Sequence, residues 1–205
     1  STEKNAAMRS SYWSRSHLSR RTTDAYRSGN HLIHNPGRFQ ITLKLFLWSP
    51  ELSDDANVVK NTDSDTSPKS GYFLVMQDSA TGQGDLPGGR INRDEIYDPF
   101  ERSLAREVQE ELGQIQYRMN PDPLFIFPHF VARDQTEALG IAYAGQLLGG
   151  SLELSDEHNH YFWASMNEDV PEIFTDTMRS AVHTFLEQKS RFYDRLNASD
   201  LITLP

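Results

Sequence analysis

The sequence predicts an α+β fold in which a mixed β-sheet lies between helices. Three observations predict it. Apolar and β-branched residues recur in short strand-like runs between residues 38 and 165. One amphipathic helix, with stop and start signals at its ends, interrupts those runs near residue 100. A second apolar repeat of helical period follows Pro171.

From Arg38, the run FQITLKLFLW reads as a strand, and residues 49–70 have loop composition, with Val58 and Val59 able to pin the middle. GYFLVMQ at 71–77 is a second strand and 78–85 a turn. After the helix come QIQYRMN, a Pro121-Asp122-Pro123 break, and LFIFPHFV, read as two strands. ALGIAYAGQLL at 138–148 is another, with Gly149-Gly150 as its turn, and HNHYFWAS at 158–165 one more. Phe174, Met178, Ala181, Val182 and Phe185 then predict one helix to about residue 192, most simply for core packing. Residues 38–190 are expected to form the domain, 1–37 a basic arm and 191–205 a tail.

The chemistry is concentrated between Leu86 and Gly113. Asp98-Pro99-Phe100-Glu101 reads as an N-cap, a proline at the first helical position and a capping-box carboxylate, and Gly113 closes the helix. Phe100, Leu104, Val108 and Leu112 form an apolar stripe. Beside it Glu107, Glu110 and Glu111 crowd into about 100° of the circumference, next to Arg106. Like charges at this spacing repel, so the cluster is best tolerated where a cation fills it. Mg²⁺ suits carboxylate oxygens and keeps waters for a phosphate substrate. Ahead of the helix, Leu86-Pro87-Gly88-Gly89 lets bare backbone approach a charged group.

These residues resemble the Nudix box, G-x5-E-x7-R-E-U-x-E-E-x-G-U with U aliphatic. Arg106, Glu107, Val108, Glu110, Glu111 and Gly113 match in order. Counting back eight residues from Arg106 reaches Asp98 where the pattern has Glu, which predicts a three-residue insertion between Gly89 and a shortened carboxylate. Gln114, followed by Ile115, stands at the last aliphatic position. GSLELSDEHNHYFWASMNE also looks like the C-terminal half of that family, where an acidic turn precedes a strand carrying Trp.

The resemblance implies an α/β/α sandwich and a Mg²⁺-dependent pyrophosphohydrolase, with Mn²⁺ as substitute ion. It makes Glu107 and Glu111 metal ligands, Glu110 a ligand or a holder of metal-bound water, and the Gly89 carbonyl a further ligand. Arg106 would pair with the carboxylate before the helix and orient Glu107. The general base is open between Glu110 and Glu157. Arg90 and Arg93, in the enlarged loop, are candidates to meet substrate phosphate. His158 and His160 lack a third ligand and read as exposed or packing histidines, and His129 as a structural histidine with its hydrogen bonds made. Pro128 is similar to a proline downstream of the box in ADP-ribose hydrolases.

The expected substrate is a nucleoside diphosphate linked to another moiety, of ADP-ribose or nucleotide-sugar type. The alternatives are a nucleoside triphosphate pyrophosphohydrolase and a non-catalytic nucleotide-binding module, against which the three retained glutamates argue. An isopentenyl-diphosphate-isomerase-like enzyme, whose chemistry uses a cysteine, is disfavoured because the chain has none.

The lack of cysteine also removes disulfides and zinc–thiolate sites and is consistent with a cytoplasmic setting. No run approaches a membrane span, and a net charge of −9 disfavours nucleic acid as main partner. The arm is the exception: Lys4, Arg9, Arg15, Arg20, Arg21, Arg27 and Arg38 stand against only Glu3 and Asp24. A transit peptide, a nucleic-acid tail and an arm lying on an acidic surface compete. The last is favoured, with the arm crossing onto a second subunit of a homodimer.

Overall fold

The computed structural model describes residues 37–50, 71–131 and 134–204. Residues 1–36, which hold most of the expected arm, and the 51–70 loop with Val58 and Val59 lie outside the described residues.

The strand-like runs become β1 (Gln40–Ser49), β2 (Tyr72–Asp78), β4 (Ile115–Met119), β5 (Phe125–Val131), β6 (Thr136–Gly150) and β7 (His158–Ser165), with β3 (Gly84–Asp85) and β8 (Ile202–Leu204) added. The helices are α1 (Phe100–Leu112), α2 (Asp176–Glu187) and α3 (Lys189–Leu196). The sheet runs β3-β2-β1-β6-β4-β8, with β5 also on β6 and β7 also on β2. It is mixed, because β1 and β6 lie parallel from Gln40↔Ala138 to Trp48↔Gln146 while its other pairings are antiparallel.

Strand alternation divides β1 between two cores. Leu43, Leu45 and Leu47 pack with Leu104, Val108 and Leu112 of α1. Phe46 and Trp48 face the other way, onto α2 and α3. There Phe46 stacks on Phe185 at 3.9 Å. The expected α/β/α layering follows, with the acidic helix alone on its side.

Several expectations change. The helix after Pro171 breaks at Gln188 (φ −106°, ψ 23°), which ends α2 and begins α3, so Phe192, Tyr193 and Leu196 turn back into the core. The stretch 191–205 is therefore not a tail: it ends α3 and supplies β8, which pairs with β4. Gly149-Gly150 is not a turn, because β6 continues through it to pair Gly150 with Ile115. Glycine fits position 150, where φ is +101° and a Cβ would meet the Gln114 carbonyl at 2.6 Å.

β5 is an edge strand among the described residues. Its Phe130 amide leaves the sheet and donates to Thr177 Oγ1 of α2 (3.0 Å).

Candidate metal and phosphate site

Helix α1 starts one residue later than its sequence signals suggest. Pro99 is the N-cap, with no side-chain cap hydrogen bond, so Asp98 lies outside the helix and caps nothing. At the far end Gly113 (φ +72°) donates its N–H to the Gln109 carbonyl. The next helix-terminal carbonyls are also satisfied: Glu153 N–H bonds to Leu112 and Ser155 N–H to Glu111. The chain after β6 is thereby tied to the end of α1, and a further turn (His158 N–H to Ser155 carbonyl, 3.1 Å) delivers His158 beside Glu111.

The Leu86–Gly89 turn threads between β1 and α1. Leu45 N–H donates to the Pro87 carbonyl and Leu43 N–H to the Gly89 carbonyl, both at 2.8 Å. The intervening residue, Lys44, is buried and donates from Nζ to the Leu86 carbonyl (3.1 Å) and the Gly88 carbonyl (2.8 Å). Its third contact is Asp85 Oδ1 at 2.7 Å. From the other side Glu111 Oε2 accepts the Gly88 N–H at 2.7 Å. A Cβ on Gly89 would sit 2.3 Å from Glu107 Oε2, and one on Gly88 2.3 Å from the Leu43 carbonyl. Glu107 and Glu111 thus close on the same bare backbone.

The electrostatics follow from burial. Burial pushes the Glu111 carboxyl up to about 8, with Asp85 and Glu107 adding to the rise while Lys44 and the Gly88 amide oppose it. Burial also raises Glu107, against the pull of Arg106. For Asp85, burial is outweighed by Lys44 and by the His158 ring near it, so its carboxyl lies below the usual range. For Lys44, burial is outweighed by Asp85, Glu111 and Glu107, which hold the ammonium charged. His158 Nε2 stands 3.9 Å from Asp85 Oδ2 and 4.0 Å from Glu111 Oε1.

Arg106 caps the outer edge of this cluster. It binds Glu95 in bidentate fashion, Nε to Oε1 at 2.7 Å and Nη2 to Oε2 at 2.9 Å. It also meets Glu107 Oε1 at 2.8 Å and Glu110 Oε2 at 3.1 Å. Glu110, at 60 % side-chain exposure, therefore turns to Arg106 on the surface while Glu107 and Glu111 turn inward. Arg90 pairs with Asp134 and reaches Gln40 Oε1, and Arg93 is exposed. Glu157 is exposed just before β7, with its carbonyl accepting the Ser79 amide. His160 stacks on Phe162. The expectation for His129 changes: its Nδ1 is buried with no hydrogen-bond partner among the described residues. Burial holds its imidazole down at about 4.

Solved structures with this architecture are numerous. The MutT protein of Methanosarcina mazei aligns at TM-score 0.50 and 22 % identity over 78 % of this chain and 96 % of that one. The Ap4A hydrolase of C. elegans aligns at TM-score 0.54 and 14 % identity, over 76 % and 98 %. The NUDIX domain of Shewanella oneidensis NrtR, solved with ADP ribose, aligns at TM-score 0.50 and 15 % identity, over 78 % and 94 %. The chain has the Nudix fold. No protein-family model matches the sequence, and no curated protein does.

On this fold the box reads differently from the count made back from Arg106. Five residues separate Gly89 from Glu95, as the Nudix pattern asks, and ten rather than seven separate Glu95 from Arg106. The partner of Arg106 is thus Glu95 and not Asp98, and the insertion falls after the carboxylate. Lys44, Asp85 and His158 were not singled out as site residues from sequence. In an alternating strand Lys44 reads as solvent-facing, and only the tertiary approach of Leu86–Gly89 gives it acceptors.

The donor set fits a hard divalent cation. Glu107 and Glu111 offer carboxylate oxygens beside the Gly88-Gly89 backbone, and burial together with neighbouring like charges leaves them under-neutralised. Among the described residues no three His, Asp or Glu side chains already stand at metal-ligand spacing. The cluster is a cradle and not a closed cage.

Proposed function

We propose that this chain is a divalent-cation-dependent Nudix pyrophosphohydrolase, using Mg²⁺ or Mn²⁺, that cleaves the phosphoanhydride of a nucleoside diphosphate linked to another moiety. The observation that carries the reading is the convergence of half-buried Glu107 and buried Glu111 on the Gly88-Gly89 backbone. Glu107, Glu111 and the second lone pair of the Gly89 carbonyl would hold the cation, with Glu110 at the rim. A cation there supplies neutralisation of phosphate oxygen charge.

The chain's own residues do the rest. Arg106, fixed by Glu95, keeps Glu107 turned inward. A water oxygen bonds to phosphorus as the bridging P–O bond breaks, and the departing phosphate takes that bonding pair. The water proton passes to a carboxylate, with Glu110 and Glu157 as the candidates. Arg93 adds positive charge on the loop that leads into α1.

ADP-ribose and nucleotide sugars are the substrates put forward, in a cytoplasmic, homodimeric enzyme. The ADP ribose bound to the NrtR domain supports the class of ligand. The Ap4A hydrolase likeness supports a nucleotide-linked anhydride more broadly. The test is a panel of ADP-ribose, nucleotide sugars, diadenosine tetraphosphate and nucleoside triphosphates, assayed with Mg²⁺ and with Mn²⁺ and with products identified. Release of a nucleoside monophosphate from the first two groups is the expected result. Hydrolysis confined to triphosphates would replace the substrate, and no hydrolysis of any would refute the activity.

A further inference from the structure

We infer that Lys44 is the positioning residue of the metal-side turn, holding the Gly88-Gly89 backbone where a divalent cation meets it. The inference takes its reaction from the hydrolase reading above, while its geometry stands apart from that reading.

A strand offers its amides to a facing chain only at alternate residues, because successive N–H groups point to opposite sides. Leu43 and Leu45 accordingly reach the Gly89 and Pro87 carbonyls. The Leu86 and Gly88 carbonyls alternate with these along the turn and would go without donors. Lys44 supplies both from one ammonium, and its third N–H is taken by Asp85. Three protons meet three acceptors, as a side chain only 5 % exposed requires. Every carbonyl of Leu86–Gly89 is thereby tied to residues 43–45. Gly88 is clamped at both ends, its N–H on Glu111 and its C=O on Lys44.

No other donor to these two carbonyls is in place among the described residues. A methionine at position 44 would fill the same volume and donate nothing. The Gly88–Gly89 peptide would then be free to rotate, taking with it the backbone that both glutamates close upon. The competing possibility is that Lys44 merely neutralises Asp85 and stabilises the fold. The two possibilities differ in sign at the metal. Deleting a nearby positive charge should tighten cation binding if charge alone matters, and weaken it if position does.

The experiment compares wild type, Lys44→Met and Lys44→Met/Asp85→Asn, all metal-free at the start. Mn²⁺ affinity is read from the electron paramagnetic resonance of free Mn²⁺, with Tm and steady-state kinetics on the preferred substrate alongside. Both variants should bind Mn²⁺ about tenfold or more weakly, the scale on which residues supporting metal ligands act. kcat should fall in parallel. The double variant, which removes the Asp85 charge that Lys44 had paired, should recover part of the lost Tm but none of the affinity. If the single variant does not fold, the double one carries the measurement.

Mn²⁺ affinity within twofold of wild type, tighter binding, or affinity that returns with Tm would each overturn the inference, as would a wild type that binds no Mn²⁺. A wild type that binds Mn²⁺ but cleaves no nucleotide refutes the hydrolase reading instead, and the affinity comparison still decides the role of Lys44.

Discussion

Glu95 holds the guanidinium of Arg106 through two parallel hydrogen bonds, 2.7 and 2.9 Å long, across eleven residues of sequence. A fork of this kind fixes a plane as well as a distance. It keeps Arg106 in position to touch Glu107 at 2.8 Å. Glu95→Gln should therefore lower kcat/KM by about tenfold through Glu107. Asp98→Asn, which breaks no such bond, should stay within twofold. Steady-state kinetics at saturating Mg²⁺ would show the reverse order if Asp98 were the true partner.

Glu111→Gln separates chemistry from folding. Turnover should fall by about 10²-fold or more, the scale of charge-stabilising groups. Stability should move the other way. Because burial raises the folded carboxyl from 4.5 to about 8, ionisation opposes folding. That penalty is absent below the unfolded value, grows as pH rises between the two, and is complete above about 8. Without metal, the variant should melt above wild type at pH 8, and the gap should close near pH 4. A gap that stays constant across this range would show that Glu111 does not carry the shift.

The two glycines should fail differently. Gly88 has φ +114° and a Cβ there would meet the Leu43 carbonyl at 2.3 Å, so Gly88→Ala should cost about 2 kcal/mol or more of stability. Gly89→Ala meets instead the end of a side chain, Glu107 Oε2. It should keep most of its Tm and lose activity by about 10²-fold as the carboxylate is displaced. Denaturant melts together with kcat on both variants distinguish the two effects.

Arg90 and Arg93 should also part company. Arg90 is engaged by Asp134 and Gln40, so Arg90→Ala should leave KM within twofold. Arg93→Ala should raise KM severalfold and spare kcat, the pattern of a contact made equally in ground and transition states. Equal KM values for both variants and wild type would remove the loop from phosphate binding.

The layers were legible because each long run carried its own period. The Phe100–Leu112 stripe and the alternating β1 residues state which face is buried without reference to anything distant. β8 was not legible, since three residues paired to β4 show no period of their own. Nor was the break at Gln188, where the apolar spacing passes smoothly from Phe185 to Phe192 while the backbone does not. At the site, the convergence of Glu107 and Glu111 could be read from their i, i+4 spacing, whereas the surface position of Glu110 at i+3 could not. The partner of Arg106 could not, because counting along the chain assumes a fixed loop, whereas the ion pair is closed through space over an insertion. Lys44 was hidden for a similar reason: its acceptors lie more than forty residues away.

The outer margin of β5 bears on how copies of this chain can meet. The amides of residues 126, 128 and 130 point away from β6, since N–H directions alternate along a strand. Position 128 is proline and has no N–H, and that of Phe130 is already held by Thr177. A foreign strand arriving at this margin would find one donor where it needs three. Prolines and covered amides are how natural sheets blunt their open sides against runaway pairing. Self-association by adding strand to strand at β5 is thus disfavoured.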